Sequence, residues 1–354
     1  MSTSRFSLES LPWNVVFRAG ACAELGTQLQ RLSLGHTLLI VTPGHKAQAN
    51  DIASMLGERC AGIFDQARPH VPEEALAAAI EVSDHCGADC CVSIGGGSTT
   101  GLGKALALRI GLPNIAIPTS YAGSEMTNIW GITDGRSKVT GRDDTVLPDL
   151  VIYDPELSVG LPPEVSASSG MNAIAQAAVN IVDPEANPFA SALAQAAVRH
   201  LVAALPAVVA YAGNIESRAK ALCGASLAGA ALGIGLTSLH HRLCHIIGGR
   251  FDTNHADTHA ILLPHSIAYN APAAANEARN LATLLGANDV GIGLYDFARH
   301  IGAPQQLSAL GIGHADIETI VDGVLETQFR NPRPLQRAAL QAMLQRAFDG
   351  EPPA

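Results

Sequence analysis

The stretch Cys91-Val-Ser-Ile-Gly-Gly-Gly-Ser-Thr-Thr100 runs from a short apolar segment, through three glycines, into the start of a helix. Gly95, Gly96 and Gly97 let the backbone approach a phosphate without an intervening Cβ, and the free N–H groups of the helix that follows favour negative charge. The spacing matches neither the Gly-x-Gly-x-x-Gly fingerprint nor a Walker loop, because Lys104 is not preceded by the required glycines. An ordinary tight turn would use the same residue types, but the loop's position after a buried strand favours phosphate binding.

Short apolar segments alternate with helical segments on both sides of this loop. The apolar segments lack the polar alternation of a half-exposed strand, which indicates a parallel sheet covered on both faces. They are Val15–Phe17, Leu38–Val41, Gly62–Phe64, Cys91–Ile94, Ile115–Ile117 and Leu150–Tyr153. The helical segments are Ala23–Arg31, His45–Leu56, Glu73–Asp84 and Thr99–Ala107. We therefore predict an α/β domain with a Rossmann-like, doubly wound parallel sheet, plus a hairpin across Ile129–Thr140 that turns at Asp134-Gly135.

The pattern changes at Asp154-Pro155. From Pro162 onward the sequence shows Ala- and Leu-rich helical segments and no convincing strand, and Pro162-Pro163-Glu164 is a favourable helix start. A chain of 354 residues also exceeds what one core usually supports. We predict an α/β domain over residues 1–155 followed by an all-helical domain over residues 156–354, with the active site in the cleft between them.

Composition and charge exclude several classes of partner. The chain is 47% hydrophobic and 15% charged, with a net charge of −10 and no basic run, so nucleic acid is not expected. The N-terminus resembles no secretion signal, and the apolar stretch Ala190–Ala212 is interrupted by Arg199, His200 and Pro206, so no membrane span is expected. The seven cysteines lack zinc-site spacing and are interpreted as core residues. These features indicate a reducing compartment, and we expect the cytoplasm.

A second loop, Ile117-Pro-Thr-Ser-Tyr-Ala-Gly-Ser-Glu125, follows the next apolar strand. Together with Gly95–Ser98 it resembles the cofactor loops of iron-containing alcohol dehydrogenases, glycerol dehydrogenases and dehydroquinate synthases. The resemblance implies that this first domain binds a nicotinamide dinucleotide. It places the pyrophosphate at Gly96, Gly97 and Ser98, with Gly95 in the same loop. It places the ribose and nicotinamide near Thr119, Ser120, Ser124 and Lys138.

The end of the second strand bears on cofactor choice. Members of this superfamily that are strict for NAD usually carry an aspartate there, which accepts hydrogen bonds from the adenosine ribose and repels a 2′-phosphate. This sequence has Thr42-Pro43 instead. We therefore expect both NADH and NADPH to be accepted, with Thr42 among the cofactor-binding residues.

Six of the chain's 13 histidines lie between residues 240 and 265. They are His240, His241, His245, His255, His259 and His265. His241 and His245 are spaced i, i+4 on a predicted helix and share one face, and His255 and His259 repeat that spacing on the next helix. One such histidine alone would be typical of a cap or a core position, but the clustering indicates a functional site.

The histidine-rich stretch resembles the metal-site region of the iron-containing alcohol dehydrogenases. In that family the metal is held by an Asp and a His four residues apart on one helix and by two later histidines. The resemblance places the later pair at His241 and His255, and it matches His245 to a histidine near the nicotinamide that is not a ligand.

The first pair of ligand positions departs from the family pattern. They fall on Asn172 and Gln176, in the helix that contains Ser169–Gln176. Neutral amides are poor ligands for a divalent metal, and the loss of the carboxylate removes its charge compensation. We expect no functional metal.

Within the superfamily the chain most resembles the maleylacetate reductases, which reduce the conjugated C=C of 2-maleylacetate to 3-oxoadipate in the degradation of resorcinol, hydroxyquinol and chloroaromatic compounds. The resemblance rests on Tyr121 and on His240-His-Arg-Leu-Cys-His245 with Gly248-Gly249. A conjugated ketone can be reduced without a metal, because charge moves to the ketone oxygen as an enolate. The predicted catalytic residues are Tyr121, His241, His245 and His255. Arg242 and Arg250, with Asn172 and Gln176, are predicted to bind the dicarboxylate substrate.

Three alternatives stay open at this stage. The first is a metal-dependent alcohol or glycerol dehydrogenase of the same superfamily, against which Asn172 and Gln176 argue. The second is a lyase of the dehydroquinate synthase type, and the third is a binding protein without activity. Relatives suggest a homodimer.

Overall fold

In the computed structural model, which describes residues 6–135 and 137–354, the predicted apolar segments form strands. The strands are β1 (Val15–Phe17), β2 (Thr37–Ile40), β3 (Cys60–Phe64), β4 (Cys90–Gly95), β5 (Asn114–Pro118), β6 (Ile129–Asp134), β7 (Ser137–Arg142) and β8 (Leu150–Tyr153). Six of them form one sheet in the order β1-β8-β5-β4-β2-β3, with every pair parallel. β6 and β7 form a separate antiparallel hairpin, as predicted.

Helices cover both faces of the parallel sheet. They are α1 (Leu25–Arg31), α2 (Lys46–Leu56), α3 (Glu73–Cys86) and α4 (Gly97–Ile110). On one face Leu39 and Val92 pack with residues of α1 and α2, and on the other Leu38 and Cys91 pack with residues of α3 and α4. Successive side chains of a strand point to opposite faces, so buried strands need apolar residues at every position. The doubly wound fold predicted from uninterrupted apolar segments is confirmed.

The sheet reverses its direction of growth between β2 and β4. β3 lies on the far side of β2, whereas β5 and β8 extend the sheet from β4 in the other direction. In open parallel sheets such a switch point, at the carboxyl ends of the strands, is the usual ligand site. Thr42 follows β2 and the three glycines end β4, so these two predicted cofactor segments flank the switch point.

Every regular element from Pro162 to Ala354, all of which the structure describes, is helical. The helices are α5 (Pro163–Val182), α6 (Pro188–Ala210), α7 (Ile215–Ile234), α8 (Leu239–Phe251), α9 (His255–Asn270), α10 (Ala275–Leu284), α11 (Val290–His300), α12 (Asp316–Leu325) and α13 (Arg337–Asp349). α5 packs against α6, α7 and α9, and one apolar core joins α8, α9, α12 and α13. Both helices that carry the predicted histidine pairs are therefore held from several sides.

The chain divides into two compact units, Ser10–Leu161 and Pro162–Ala354, and residues 6–9 group with the second. The first unit extends a few residues past the predicted boundary. Just before the predicted boundary, the carboxylate of Asp154 accepts hydrogen bonds from the backbone N–H groups of Gly20 and Cys22, each at 3.0 Å, and so ties the end of β8 to the start of the α/β unit. Met1–Arg5, part of the segment examined for a secretion signal, and Arg136 lie outside the described residues.

Helix α6 is long and apolar enough to meet a membrane-span criterion. The mean hydropathy of its most apolar 18-residue window is 1.6, and 39% of that window is buried within the protein. The core helices of water-soluble proteins meet the same criterion, and Arg199 and His200 interrupt this one. The prediction that the chain does not span a membrane stays a prediction.

Candidate active site

The glycine loop after β4 is shaped by backbone conformations that need glycine. Gly95 has φ +143°, and a Cβ there would lie 2.9 Å from Thr99 Oγ1. A Cβ on Gly96 would lie 2.9 Å from Ser120 Oγ, whereas one on Gly97 would meet only Ala122 Cβ at 3.9 Å. Gly95 is therefore required by the protein itself, whereas a Cβ on Gly96 would require the hydroxyl of Ser120 to move. Gly97, which is exposed, leaves room for a ligand.

Helix α4 begins at Gly97 without a side-chain cap. Ser98 and Thr99 lie inside the first turn, and Thr99 Oγ1 donates to the carbonyl of Gly96 at 2.9 Å. The first N–H groups of a helix have no partner within the helix. This N-terminus is thus open to an anion, which suits the pyrophosphate predicted at Gly96, Gly97 and Ser98.

The second loop lies directly against the first. The backbone N–H of Thr119 donates to the carbonyl of Gly95 at 2.8 Å, and Ser120 Oγ occupies the space that a Cβ on Gly96 would need. Thr119 and Ser120 are nearly buried, and the side chain of Tyr121 is fully buried. The two loops predicted to surround one cofactor are brought together at one edge of the sheet.

The carboxyl end of β2 carries a feature that its local sequence does not indicate. Thr42 Oγ1 is hydrogen bonded to His45 Nδ1 at 2.7 Å, and Lys46, at the start of α2, forms an ion pair of 2.7 Å with Asp65. Asp65 follows β3, so a carboxylate does stand beside the end of β2. It comes from the neighbouring strand, and the ammonium of Lys46 lowers its pKa. Its charge is therefore paired.

Lys138 on the hairpin has an unforeseen neighbour, His70, whose Nδ1 lies 3.5 Å from Lys138 Nζ. His70 and Val71 both have positive φ, +62° and +50°, which is strained for residues with a Cβ. Thr133 holds this turn, because its N–H and its hydroxyl donate to the carbonyls of Val71 and His70 at 3.0 and 2.8 Å. Nothing in the sequence marks such a turn, since neither residue is a glycine or an asparagine.

Four imidazoles of α8 and α9 form one cluster. The ring centroid of His259 lies 4.8 Å from that of His240, 5.7 Å from that of His241 and 4.3 Å from that of His255. His240, His241 and His259 are buried, whereas His245 and His255 are exposed. His259 is thus the centre of the cluster, although its sequence position gave it no predicted role.

Hydrogen bonds fix the proton positions within the cluster. Ser266 Oγ donates to the carbonyl of Leu263 at 3.2 Å and so accepts from His240 Nδ1 at 2.9 Å. His240 Nε2 then accepts from His259 Nδ1, also at 2.9 Å. His259 Nε2 is left as a bare acceptor, buried and without a hydrogen-bond partner among the described residues. Burial lowers the pKa of both His240 and His259 well below the ordinary value, so both rings are neutral.

The predicted substrate residues occupy different environments. The guanidinium of Arg242 lies over the ring of Phe329, 5.5 Å from its centroid, with a buried Nε that has no hydrogen-bond partner among the described residues. Arg250 is exposed in the last turn of α8. Arg242 is partly desolvated and therefore better placed than Arg250 to bind a carboxylate strongly.

A single amide ties the two histidine helices together. Asn331 Oδ1 accepts from the N–H of Leu239, in the first turn of α8, at 3.2 Å. The same side chain exchanges hydrogen bonds of 3.0 and 2.8 Å with Asn270, the last residue of α9. Asn331 lies in a segment without regular structure, far from both helices in sequence. It was not recognised as part of the site, because no local pattern links it to them.

The residues present do not fit the metal site that the family implies. Asn172 and Gln176 are buried on α5 and offer neutral amides in place of a carboxylate and an imidazole. His240, Cys244 and His259 lie at ligand spacing. However, the N–H···N hydrogen bond between the two rings places a proton where an ion would need a lone pair. Burial also raises the pKa of the Cys244 thiol well above its ordinary value. The two family ligand positions on α5 thus supply neither the charge of a carboxylate nor the lone pair of an imidazole.

The chain combines a parallel sheet that has a glycine loop at its switch point with a helical unit that has a histidine cluster. Its sequence matches one protein family along both parts. The model of the iron-containing alcohol dehydrogenases matches residues 12–155, and that of the C-terminal part of the Fe-containing alcohol dehydrogenase family matches residues 166–348. The chain belongs to the iron-containing alcohol dehydrogenase family and is an oxidoreductase.

Within this family the chain is similar over its full length to maleylacetate reductases. It is 44% identical over 349 residues to the maleylacetate reductase of Burkholderia cepacia, and the match covers 99% of each chain. It is 44% identical over 348 residues to that of Rhizobium sp. strain MTP-10005, covering 98% of this chain and 99% of the relative. The crystal structure of maleylacetate reductase from Agrobacterium tumefaciens superposes with a TM-score of 0.94 at 45% identity, covering 99% and 100% of the two chains. The resemblance inferred from the cofactor loops and the histidine stretch is confirmed.

The individual site residues stay predictions. The structure places the predicted dinucleotide residues and Tyr121 in the α/β unit, and it places the predicted histidines, arginines and amides in the helical unit. His240, His259 and Ser266 form a hydrogen-bonded chain, and its imidazoles pack against those of His241 and His255. The two histidines were predicted as members of the cluster without an individual role, whereas Ser266 carried no signal in the sequence.

Proposed function

We propose that this protein is a maleylacetate reductase, which uses NADH or NADPH to reduce the conjugated C=C of 2-maleylacetate to 3-oxoadipate. The observation that carries the proposal is the pair of buried amides, Asn172 and Gln176, on a helix that packs against α9. Reduction of a simple carbonyl in this superfamily relies on a metal to polarise the oxygen, and these amides cannot hold one well. A conjugated ketone does not need that polarisation.

The cofactor, when bound, supplies a hydride to the alkene carbon β to the ketone. The electron pair of the C=C then moves toward the ketone, whose oxygen carries the charge of an enolate. A proton added to the α carbon completes the reduction, so each turnover consumes one reduced nicotinamide and one proton. The protein must stabilise the enolate oxygen and deliver that proton.

Residues of the chain suit both tasks. His241, His245, His255 and Tyr121 are the candidate donors, and two of these imidazoles, His245 and His255, are exposed and reachable by a ligand. The neutral ring of His259 lies against His255 and presents an unprotonated Nε2. Arg242, stacked on Phe329, is the better candidate for a substrate carboxylate, while Asn172 and Gln176 offer uncharged hydrogen-bonding groups.

The glycine loop and the second loop fit a dinucleotide. Gly95, Gly96, Gly97 and Ser98 would hold the pyrophosphate at the open N-terminus of α4, and Thr119, Ser120, Ser124 and Lys138 would surround the ribose and nicotinamide. At the adenosine end, Thr42 accompanies a carboxylate that Lys46 already pairs, so a 2′-phosphate meets no unpaired negative charge. These features support the use of both NADH and NADPH.

One assay tests the proposal. Purified protein is treated with a chelator, and the absorbance of NADH and of NADPH is followed with maleylacetate, then with simple ketones and aldehydes. We expect oxidation of either cofactor with maleylacetate alone, no loss of rate after chelation, and less than a stoichiometric amount of metal by elemental analysis. Activity on simple carbonyls that the chelator abolishes would contradict the proposal and favour a metal-dependent alcohol dehydrogenase.

The assembly and location of the protein are part of the same proposal. We propose a cytoplasmic homodimer: the seven free cysteines suit a reducing compartment, and the family resemblance is the reason for expecting a dimer. Light scattering on purified protein tests the dimer, and fractionation of the source cells tests the location. A monomer, or activity in the membrane fraction, would contradict these two points.

A further inference from the structure

Lys104, on α4, has no part in the function proposed above. The glycine spacing before it does not match a Walker loop, and its side chain is only 1% exposed. Its ammonium, which has three N–H groups, lies within hydrogen-bond distance of four oxygens: the carbonyl of Ser124 at 2.5 Å, the carbonyl and the hydroxyl of Thr127 at 2.7 and 3.0 Å, and the carbonyl of Ile129 at 2.9 Å. The lysine occupies a cage of oxygens such as a bound cation would have.

All four oxygens belong to one short segment, Ser124–Ile129. This segment begins in the second cofactor loop and leads into β6, the first strand of the hairpin that carries Lys138. On its other side, Oε1 of the buried Glu125 accepts a hydrogen bond of 2.6 Å from the hydroxyl of Tyr153, at the end of β8. The segment is thus anchored both to α4 and to the sheet.

Burying a cation at this position carries a cost. Burial lowers the pKa of Lys104 to about 7, against the opposing attraction of the Glu125 carboxyl, so desolvation of the ammonium is costly. A methionine would fill the same length of space without that cost, but it would leave the oxygens of the segment without a donor. The ammonium therefore ties this one segment to α4 by directed, charge-assisted hydrogen bonds.

The segment and helix joined by Lys104 both belong to the predicted cofactor site. α4 begins with the phosphate loop, and Ser124 ends the loop expected around the ribose and nicotinamide. The two loops already touch where the N–H of Thr119 donates to the carbonyl of Gly95. Lys104 makes a second connection two turns further along α4, so the pair of loops is held at two points.

We propose that Lys104 is a positioning residue for the nicotinamide dinucleotide: its ammonium holds Ser124–Ile129 against α4 and so fixes the distance between the phosphate loop and the ribose-side loop. The inference rests on the proposed function in that the ligand is NADH or NADPH. Lys104 acts through the backbone of the second loop and does not touch the cofactor.

The first test compares Lys104→Met with Arg109→Ala. Arg109 lies on the same helix, but it is exposed and pairs with Glu73, so its removal takes a cation from α4 without touching the segment. Binding of NADH to the protein without substrate is measured by fluorescence titration. We expect Kd to rise about tenfold, equivalent to about 1.4 kcal/mol, in Lys104→Met and to change less than about twofold in Arg109→Ala. At saturating NADH the kcat of Lys104→Met should stay within about threefold of wild type, because no reacting group is lost.

The second test is chemical rescue. Lys104→Ala removes three carbons and the ammonium, which together correspond to n-propylammonium. We expect this ion, added to Lys104→Ala, to restore most of the lost NADH affinity, and n-propanol at the same concentration to restore none. Thr127→Val, which removes one of the four oxygens at nearly constant volume, should weaken NADH binding by a smaller factor of about two to three.

The outcomes separate the two proposals. If wild type binds neither NADH nor NADPH, the proposed function fails and this inference fails with it. If wild type binds and Lys104→Met, folded by circular dichroism, binds within about twofold of it, only the positioning role fails. If Lys104→Met does not fold, the rescue of Lys104→Ala decides. The positioning role is overturned if propylammonium restores folding but not NADH affinity. It is also overturned if propanol restores NADH affinity as well as propylammonium does.

Discussion

The two candidate sites of this protein differ in whether backbone groups or side chains form them. The dinucleotide loops of the α/β unit are shaped by backbone: glycines at Gly95 and Gly96, an uncapped helix start, and a lysine that binds carbonyl oxygens. The histidine cluster of the helical unit is shaped by side chains that bind one another, from Ser266 through His240 to His259. Backbone sites recognise what every dinucleotide shares, whereas side-chain sites define a particular reaction.

Substitution should therefore act differently in the two regions. The largest effect is expected at the position whose backbone conformation only glycine adopts without strain. Gly95→Ala forces a residue with a Cβ to adopt φ +143° and places that Cβ 2.9 Å from Thr99 Oγ1. We expect NADH affinity to fall more than about a hundredfold, since strain of this kind costs about 1–3 kcal/mol before the clash is counted.

Gly97→Ala is the matched variant for this prediction. Its Cβ would make only an ordinary 3.9 Å contact with Ala122, so the free energy of unfolding should change little while NADH binding weakens through loss of space for the phosphate. Titration calorimetry and urea unfolding on both variants provide the comparison. If Gly95→Ala bound NADH with wild-type affinity, the backbone conformation at Gly95 would not determine cofactor binding.

The next largest effect is expected in the histidine region, on rate and not on binding. His245 is exposed, so His245→Ala should fold normally and lose about a hundredfold in kcat, within the range of general acid–base catalysis, with NADH affinity unchanged. His300→Ala, also exposed and on α11, is the control. If His245→Ala mainly lost NADH affinity, the assignment of His245 to the reacting centre would be wrong.

The buried histidines also make the helical unit sensitive to acid. Burial lowers the pKa of His265 to about 4, and it lowers the pKa of His240 and of His259 as well. Below about pH 6.5 these histidines bind protons in the unfolded chain but stay neutral in the folded protein. Their contribution to the free energy of unfolding is therefore present above that pH and is lost as the pH falls toward 4. Three such groups give a slope of up to about 4 kcal/mol of unfolding free energy per pH unit.

Urea unfolding at about pH 7, 6 and 5 measures this slope. In His265→Leu the slope should decrease by about one third, because one of the three protons is no longer taken up on unfolding. A stability that does not change with pH over this range would mean that the three rings are not held neutral in the folded protein.

The smallest effect is expected at the edge of the backbone-built site. Lys46 is exposed and neutralises Asp65 beside the end of β2. Lys46→Ala should lower kcat/KM for NADPH about fivefold relative to NADH, because a bare carboxylate would repel the 2′-phosphate by about 1 kcal/mol. Lys220→Ala, which removes an exposed lysine paired with Glu216, is the control. If Lys46→Ala lowered kcat/KM equally for NADH and NADPH, the 2′-phosphate would not bind near Lys46.

The same contrast determines how much the sequence alone could predict. Strands and glycine loops are local patterns, so the six-stranded sheet, the hairpin and the segments at the switch point were predicted correctly from apolar runs and glycines. The lengths of the strands differed by a residue or two, as at β2, because pairing with neighbours extends or shortens each one.

What could not be predicted depends on partners distant in sequence. His259 gained its central place from His240 on another helix, Asp65 reaches the adenosine end from the neighbouring strand, and His70 meets Lys138 only through the packing of the turn against the hairpin. A local pattern could not have shown any of these pairings.

The side chain of Asn331 has a consequence for building chimeras of relatives. It hydrogen bonds to the first turn of the helix that begins at Leu239 and to the last residue, Asn270, of the helix that follows. A recombination junction placed between Asn270 and Asn331 would join histidine helices from one parent to the amide of another. Crossover positions after residue 331, or before Leu239, keep all three groups from a single parent. They should therefore give the larger fraction of active progeny.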